Sequence, residues 1–167
     1  MINKIFKYSS CDVVVKYILD DLGADLNHTN MTSRTSDMLA KEFELFEEMS
    51  PQEKCTCYHI IFSIDHRDPG HHLGECNQHL SEYDYYRLAR RYLEQMGFLS
   101  EDGMHKSQYV MAQTRSVDEV DVHIVVSRVR MDGTVVSNYL EQQRNDFIVN
   151  RLNHEFNMED SIKECQA

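Results

Sequence analysis

The fold is decided by residues 108–137, QYVMAQTRSVDEVDVHIVVSRVRMDGTVVS. Residues 109–114 form one apolar-rich run, and residues 121–130 form a second run in which apolar and polar side chains alternate. Alternation with a period of two, rich in β-branched residues, is typical of a β-strand. The Asp132-Gly133 pair predicts a tight turn, because glycine adopts positive φ at no steric cost. The stretch therefore predicts two central strands followed by a short antiparallel return over residues 134–136.

The second of these strands indicates a site. Successive side chains of a strand point to opposite faces, so His123 and Asp121 share one face with Val125. Polar side chains on a buried strand are costly unless they are paired or used. We therefore expect a functional site around His123. The opposite face carries the aliphatic residues Val122, Ile124 and Val126.

Working outward, hydrophobic periodicity predicts the remaining elements. The predicted strands cover residues 2–8, a short part of 25–31, and 56–64; the predicted helices cover residues 11–22, 35–49, 82–96 and 138–156. Strands and helices mix, with at least one antiparallel hairpin. The predicted fold class is α+β, with helices packed on a largely antiparallel central sheet. The length of 167 residues favours one domain. We place it at residues 1–157, with residues 158–167 as a tail or the start of a linker.

Composition bounds the possible functions. The net charge of −11 argues against a generic nucleic-acid binder, because phosphate contacts supply most non-specific affinity. No apolar run approaches the ~20 residues that a membrane span needs, and the start of the chain has no signal-peptide pattern. We expect a cytoplasmic protein without membrane insertion. Five scattered cysteines fit reduced thiols, and the histidines of residues 66–79 fit a flexible loop better than a zinc site.

The segment DVHIVVSRVRMDG at residues 121–133 resembles the signature strand of plasmid mobilisation relaxases, which belong to the HUH endonucleases. In that family the strand carries His-U-His, where U is hydrophobic, followed by a run like I-V-V-N-R-V and a DG turn. A third histidine lies on the preceding strand, and the three bind one divalent metal. Here the second histidine is His123 and the first is Asp121. The usual register of the third falls on Thr114, and a shift of one residue places it on Gln113.

The resemblance implies a divalent metal held by His123, Asp121 and Gln113. One imidazole, one carboxylate and one amide form a harder ligand set than three imidazoles. The predicted cofactor is therefore Mg²⁺ or Mn²⁺.

The resemblance also implies a nucleophile. In these relaxases a tyrosine on the first helix, in a segment like V-K-Y-I, attacks the DNA and forms a phosphotyrosine. The matching segment is Val15-Lys16-Tyr17-Ile18, which makes Tyr17 the candidate. Helical periodicity gives a second interpretation, in which Tyr17 is a core residue on one stripe with Val13 and Val14. A rival group of tyrosines, Tyr83, Tyr85 and Tyr86, lies on the third helix, with Tyr85 predicted inside.

The predicted DNA contacts are Lys16, Ser50, Arg115 and Arg128. His59, which follows an aromatic residue as in the family, is either near the site or a satisfied core histidine. Other candidates for local positive charge are Lys4, Lys7, Arg87, Arg90, Arg91 and Arg130.

The predicted function is that of a relaxase domain that nicks one strand at a plasmid transfer origin for conjugative mobilisation. The expected partners are single-stranded origin DNA, accessory relaxosome proteins and a coupling protein. The alternative is a relaxase-like fold that binds single-stranded DNA or a protein partner without efficient nicking. The altered metal-ligand positions and the acidity motivate this alternative.

Overall fold

Five strands make up the sheet of this protein, in a computed structural model that describes residues 1–65, 80–100, 106–117 and 119–156. The strands are β1 (Ile2–Tyr8), β2 (Asp25–Thr29), β3 (Cys57–Asp65), β4 (Ser107–Arg115) and β5 (Glu119–Arg130). They pair in the order β1-β3-β5-β4-β2, and every pair is antiparallel. The histidines predicted in the loop of residues 66–79 and the predicted tail 158–167 lie outside the described residues.

The helices occupy both faces of this sheet. They are α1 (Cys11–Lys16), which continues into a π-helical turn (Tyr17–Asp21), α2 (Ser36–Glu47), α3 (Glu82–Met96) and α4 (Glu141–Glu155). Helix α3 begins with a capping box between Ser81 and Asp84 and ends at Gly97, whose φ of 86° is left-handed. The α+β fold class and the largely antiparallel sheet are confirmed.

Each face of the sheet has its own core. One face, here called the back face, carries Val122, Ile124 and Val126 of β5 and packs against α3 and α4. The other, here called the site face, carries Val125 and packs against α1 and α2. The predicted alternation of β5 is therefore confirmed, and the strand is buried on both sides.

The turn after β5 forms as the Asp132-Gly133 pair predicts. Gly133 has a φ of 81°, and the Arg130 N–H donates to the Thr134 carbonyl at 2.8 Å. The Asp132 carboxylate accepts from the Thr134 N–H at 2.9 Å, which fixes the turn locally. The return makes only an isolated bridge, between Val129 and Val135, rather than a full strand.

The buried stripe of α1 differs from the predicted one. Val13 and Tyr17 are exposed, whereas Val14, Val15 and Ile18 are buried on the site face. On α4, Ile148 and Leu152 are buried, and Leu140 and Phe147 are exposed. A helix buries whichever stripe meets the sheet, and residues one position apart are separated by about 100° of helix rotation.

No helix within the described residues is long and apolar enough to cross a membrane.

The burial of α1 gives a test of the observed stripe. Val14 is 2% exposed and Val13 is 66% exposed. We expect Val14→Ala to lower the free energy of unfolding by about 2 kcal/mol, because it removes buried methyl groups and leaves a cavity. The matched variant Val13→Ala should change it by no more than about 0.5 kcal/mol. Urea unfolding of both variants measures the difference, and equal losses would mean that α1 is rotated.

Candidate functional site

A row of polar side chains crosses the site face beside α1. Pairing of β3 with β5 places His59 diagonally next to His123, and His59 Nε2 lies 3.1 Å from His123 Nδ1. On its other side, His123 Nε2 lies 3.1 Å from the Thr114 hydroxyl of β4. Thr114 is paired across the strands with Asp121, whose carboxylate accepts a 2.5 Å hydrogen bond from the Ser63 hydroxyl. We call these five residues the polar row.

Burial determines the protonation of the two histidines. His59 is 4% exposed and His123 is 5% exposed. Desolvation and the neighbouring His123 lower the pKa of His59 to about 4. Desolvation also lowers the pKa of His123, although the charge of Asp121 opposes that effect. Both rings are therefore neutral at physiological pH, and one nitrogen of the 3.1 Å contact donates to the other.

Gln113 does not belong to the polar row. It pairs with Val122, whose side chain lies in the back-face core, so the Gln113 side chain is on the opposite face from His123. Its amide oxygen accepts from Arg115, and its amide nitrogen has no hydrogen-bond partner among the described residues. The predicted shift of one residue was wrong, and the usual register on Thr114 is the one that faces His123.

A resident metal does not fit the side chains of the polar row. Of the three predicted ligands, only His123 and Asp121 share a face, and His123 is hydrogen-bonded at both ring nitrogens. Within the described residues there is no group of three histidine, cysteine or acidic side chains placed to hold a metal ion. Threonine at the third position supplies a neutral hydroxyl where the resemblance implies an imidazole.

Tyr17 lies on the outer side of the helix that covers the site face. It is the first residue of the π-helical turn, and its side chain is 46% exposed. Its neighbours Val14, Val15 and Ile18 anchor the segment in the site-face core. The interpretation of Tyr17 as a core residue was wrong. Short π-helical segments are frequent at functional sites because they shift side chains out of the regular helical register.

The four predicted DNA contacts are scattered. Lys16 is half-exposed beside Tyr17 and forms a 3.0 Å ion pair with Asp37 of α2. Ser50 is 3% exposed and donates to the Gly133 carbonyl at 3.3 Å, so it supports the turn and is shielded from DNA. Arg115 is on the back face, where it pairs with Glu82 of α3.

Arg128 is buried and has a structural role. Its guanidinium donates to the Val136 carbonyl at 2.9 Å and to the Cys55 carbonyl at 3.0 Å, and it pairs with Glu53 at 3.2 Å. It also lies over the ring of Tyr58, 5.9 Å from the centroid. These contacts join β5 to the segments before β3 and after the turn. Because its side chain is only 8% exposed and makes these contacts, the structure gives Arg128 a structural role, and its predicted DNA contact stays a prediction.

Sequence reasoning missed Ser63 and Phe6. Ser63 occupies the same face of β3 as His59, four residues further along, and alternation in residues 56–64 could have identified it. Phe6 of β1 lies opposite His59, with ring centroids 6.0 Å apart. The alternation of residues 2–8 is the signal that could have identified it.

The lowered pKa of His59 predicts a specific loss of stability in acid. The unfolded chain, with an ordinary histidine pKa near 6.5, binds a proton before the folded chain does. Stability is therefore full above about pH 6.5 and falls as the pH drops toward about 4, by roughly 3 kcal/mol at most. Urea unfolding at pH 7, 6 and 5 measures this loss. We expect His59→Gln to lose less stability than the wild type over that range, and parallel curves would contradict the assignment.

The contacts of Arg128 predict that its loss affects folding and not DNA. Arg128→Met leaves two buried carbonyls without a donor, so we expect the free energy of unfolding to fall by about 2–3 kcal/mol. The matched variant Arg115→Met breaks a half-exposed ion pair and should cost no more than about 1 kcal/mol. Neither variant should change the salt dependence of DNA binding. A reduced salt slope for Arg128→Met would show that it contacts phosphate after all.

Comparison with known proteins identifies the family of this chain and agrees with the fold. Residues 17–158 match the family model described as "Relaxase: MobA/VirD2-like, nuclease domain". No curated protein and no solved structure gives a match. The matched range begins at Tyr17 and extends past the end of α4, so it includes β3, β4 and β5 with the polar row. This chain belongs to the MobA/VirD2-like relaxases, a family of DNA-nicking nuclease domains.

Proposed function

We propose that this domain cuts one strand of single-stranded origin DNA through Tyr17 and remains attached to it. The observation that carries the proposal is the position of Tyr17. Its hydroxyl-bearing ring is exposed on a helix whose buried residues pack on the face that holds His59 and His123. A rigidly anchored segment with an exposed nucleophile is what a covalent strand transfer needs.

The proposed reaction is a phosphoryl transfer that can be reversed. The Tyr17 oxygen forms a bond to phosphorus, the bond from phosphorus to the leaving deoxyribose oxygen breaks, and the proton ends on that leaving oxygen as a hydroxyl. The phosphotyrosine is itself a phosphodiester, so the freed deoxyribose hydroxyl can attack its phosphorus, release Tyr17 and reseal the strand. Tyrosine hydroxyls are largely protonated at neutral pH, so the attack needs a proton acceptor. The neutral His59–His123 pair is the base that the site face offers.

Lys16 is the proposed phosphate contact beside the nucleophile. It is half-exposed, and its ion pair with Asp37 at 3.0 Å lies at the surface, where such a pair contributes little and can exchange for a phosphate. With a net charge of −11, the domain gains little from counterion release. This supports a role for accessory relaxosome proteins and a coupling protein in bringing the domain to the transfer origin, for conjugative mobilisation in the cytoplasm.

A second candidate function is DNA binding without efficient nicking. The predicted metal ligands favour this second function, because Gln113 does not share a face with His123 and Asp121. Thr114 also stands where the resemblance implies an imidazole, and the described residues contain no group of three ligands placed to hold a metal ion. The lowered pKa of His59 also makes the histidine pair a weak base toward a tyrosine hydroxyl. Relaxases of this family generally depend on a divalent metal. The dependence of this chain on Mg²⁺ or Mn²⁺ stays a prediction, and no step of the proposed reaction uses one.

Trapping of the covalent intermediate tests both candidates. The full chain is incubated with a labelled single strand of its own transfer origin, with Mg²⁺, with Mn²⁺ and with chelator, and is then run on a denaturing gel. We expect a covalent band with the wild type that is abolished in Tyr17→Phe. The matched control is Tyr83→Phe, which removes the hydroxyl of an exposed tyrosine on α3 and should leave the band intact.

The outcomes separate the two functions. A band that persists in Tyr17→Phe would show that another residue is the nucleophile. Absence of a band, together with a clear shift on a native gel, would support binding without chemistry. Absence of both at low salt, where phosphate contacts are strongest, would overturn both DNA functions.

A further inference from the structure

One row of side chains on β1 lies open to solvent next to the polar row. Ile2, Lys4, Phe6 and Tyr8 share the site face, because they pair with Ser63, Ile61, His59 and Cys57 of β3. All four are exposed, and the two aromatic rings are 43% (Phe6) and 40% (Tyr8) exposed. We call these four residues the β1 row. Side chains two residues apart on a strand are about 7 Å apart, so the row is a ladder of regularly spaced groups.

The exposure follows from the layout of the sheet. β1 is an edge strand. Its opposite face contributes to the core, since Ile5 packs against the back-face core. On the site face, α1 and α2 cover the middle of the sheet, including Val110 and Val125. The part of the face over β1 has no such cover among the described residues. Two neighbouring aromatic rings left in water on a strand are unfavourable unless a partner covers them.

The β1 row is continuous with the proposed cleavage site. The Phe6 ring lies 6.0 Å from the His59 ring, and His59 contacts His123 at 3.1 Å. A nucleotide beside a phosphate at the polar row would therefore reach Phe6. The row also carries a cation. Among the described residues, Lys4 has no ion-pair partner, whereas Lys7, on the other face of the same strand, pairs with Glu141 at 2.7 Å.

We propose that the β1 row is a base-stacking platform for single-stranded DNA, in which Phe6 and Tyr8 stack on nucleobases that flank the cut and Lys4 contacts the backbone. This inference rests on the proposed DNA function and assigns the residues that hold the strand. Stacking on aromatic rings is tolerant of sequence and does not depend on counterion release. It thus gives an acidic domain a source of affinity for DNA that its net charge of −11 does not supply.

A tryptophan placed in the row reports stacking directly. The chain contains no tryptophan, so Phe6→Trp introduces a single indole at the centre of the platform. We expect its fluorescence to be quenched on addition of an oligothymidylate, and to be quenched much less by the same backbone with abasic sites. The matched control is Tyr83→Trp, on α3 of the back face and 66% exposed, which should show no quenching.

Alanine variants measure the contribution to affinity. We expect Phe6→Ala and Tyr8→Ala each to raise the Kd for the oligothymidylate by about 5-fold or more, the size of one stacked base. Phe6 is 43% exposed and Tyr8 is 40% exposed, so neither substitution should change the temperature of thermal unfolding much. Circular dichroism checks this. Lys4→Ala should reduce the salt slope of binding by about one, which is the loss of a single phosphate contact.

The outcomes distinguish this inference from the proposed cleavage. If the wild type forms the covalent band but Phe6→Trp is not quenched and Phe6→Ala binds equally well, the platform is wrong and the cleavage stands. If Phe6→Trp is quenched and Phe6→Ala binds weakly while no covalent band forms, the platform stands and the cleavage is wrong. Equal quenching by the abasic strand would overturn the stacking itself.

Discussion

Burial of β5 on both faces is the constraint on which the rest of the structure depends. Its even-numbered aliphatic residues fill the core under α3 and α4, while Val125 belongs to the core under α1 and α2. A strand buried on both sides must carry apolar residues in both registers, so each polar residue on it needs a partner. His123 finds two, on β3 and β4, because those strands flank β5. The polar row is thus a direct consequence of the strand order.

The strand order also explains how Asp121, His123 and Thr114, at the positions where the resemblance implies three histidines, are accommodated in a buried sheet. The positions of Asp121, His123 and Thr114 still converge on one face. Their hydrogen bonds are made with each other and with Ser63 and His59. Satisfied networks of this kind are rigid, because each group left without a partner in a low-dielectric interior costs free energy. The same satisfaction leaves the imidazoles neutral and with few free lone pairs, so the row does not offer the ligand set of a metal site.

The sequence predicted the fold well because its signals there are local. Alternation and apolar runs predicted β1, β3, β4 and β5, β2 was predicted only as a short part of residues 25–31, and the Asp132-Gly133 pair predicted the turn. The prediction from sequence failed where a shift of one residue decides which face of the sheet or helix a side chain occupies. Gln113 and Thr114 are neighbours, yet one faces the back core and the other faces His123, since a slip of one residue reverses every side chain. On α1, Val13 is exposed and Val15 is buried, because neighbouring helical residues are separated by about 100° of rotation.

Charge was the least predictable feature, because ion pairs join residues distant in sequence. Arg128 looked free in a linear reading, but its partners lie at Glu53, Cys55 and Val136. Arg115 is similarly taken by Glu82, and Lys16 by Asp37. With a net charge of −11, the domain gains little affinity for a polyanion from charge alone. The proposed contact with a single strand therefore includes groups that do not need positive charge, and the exposed aromatic rings beside the polar row are such groups.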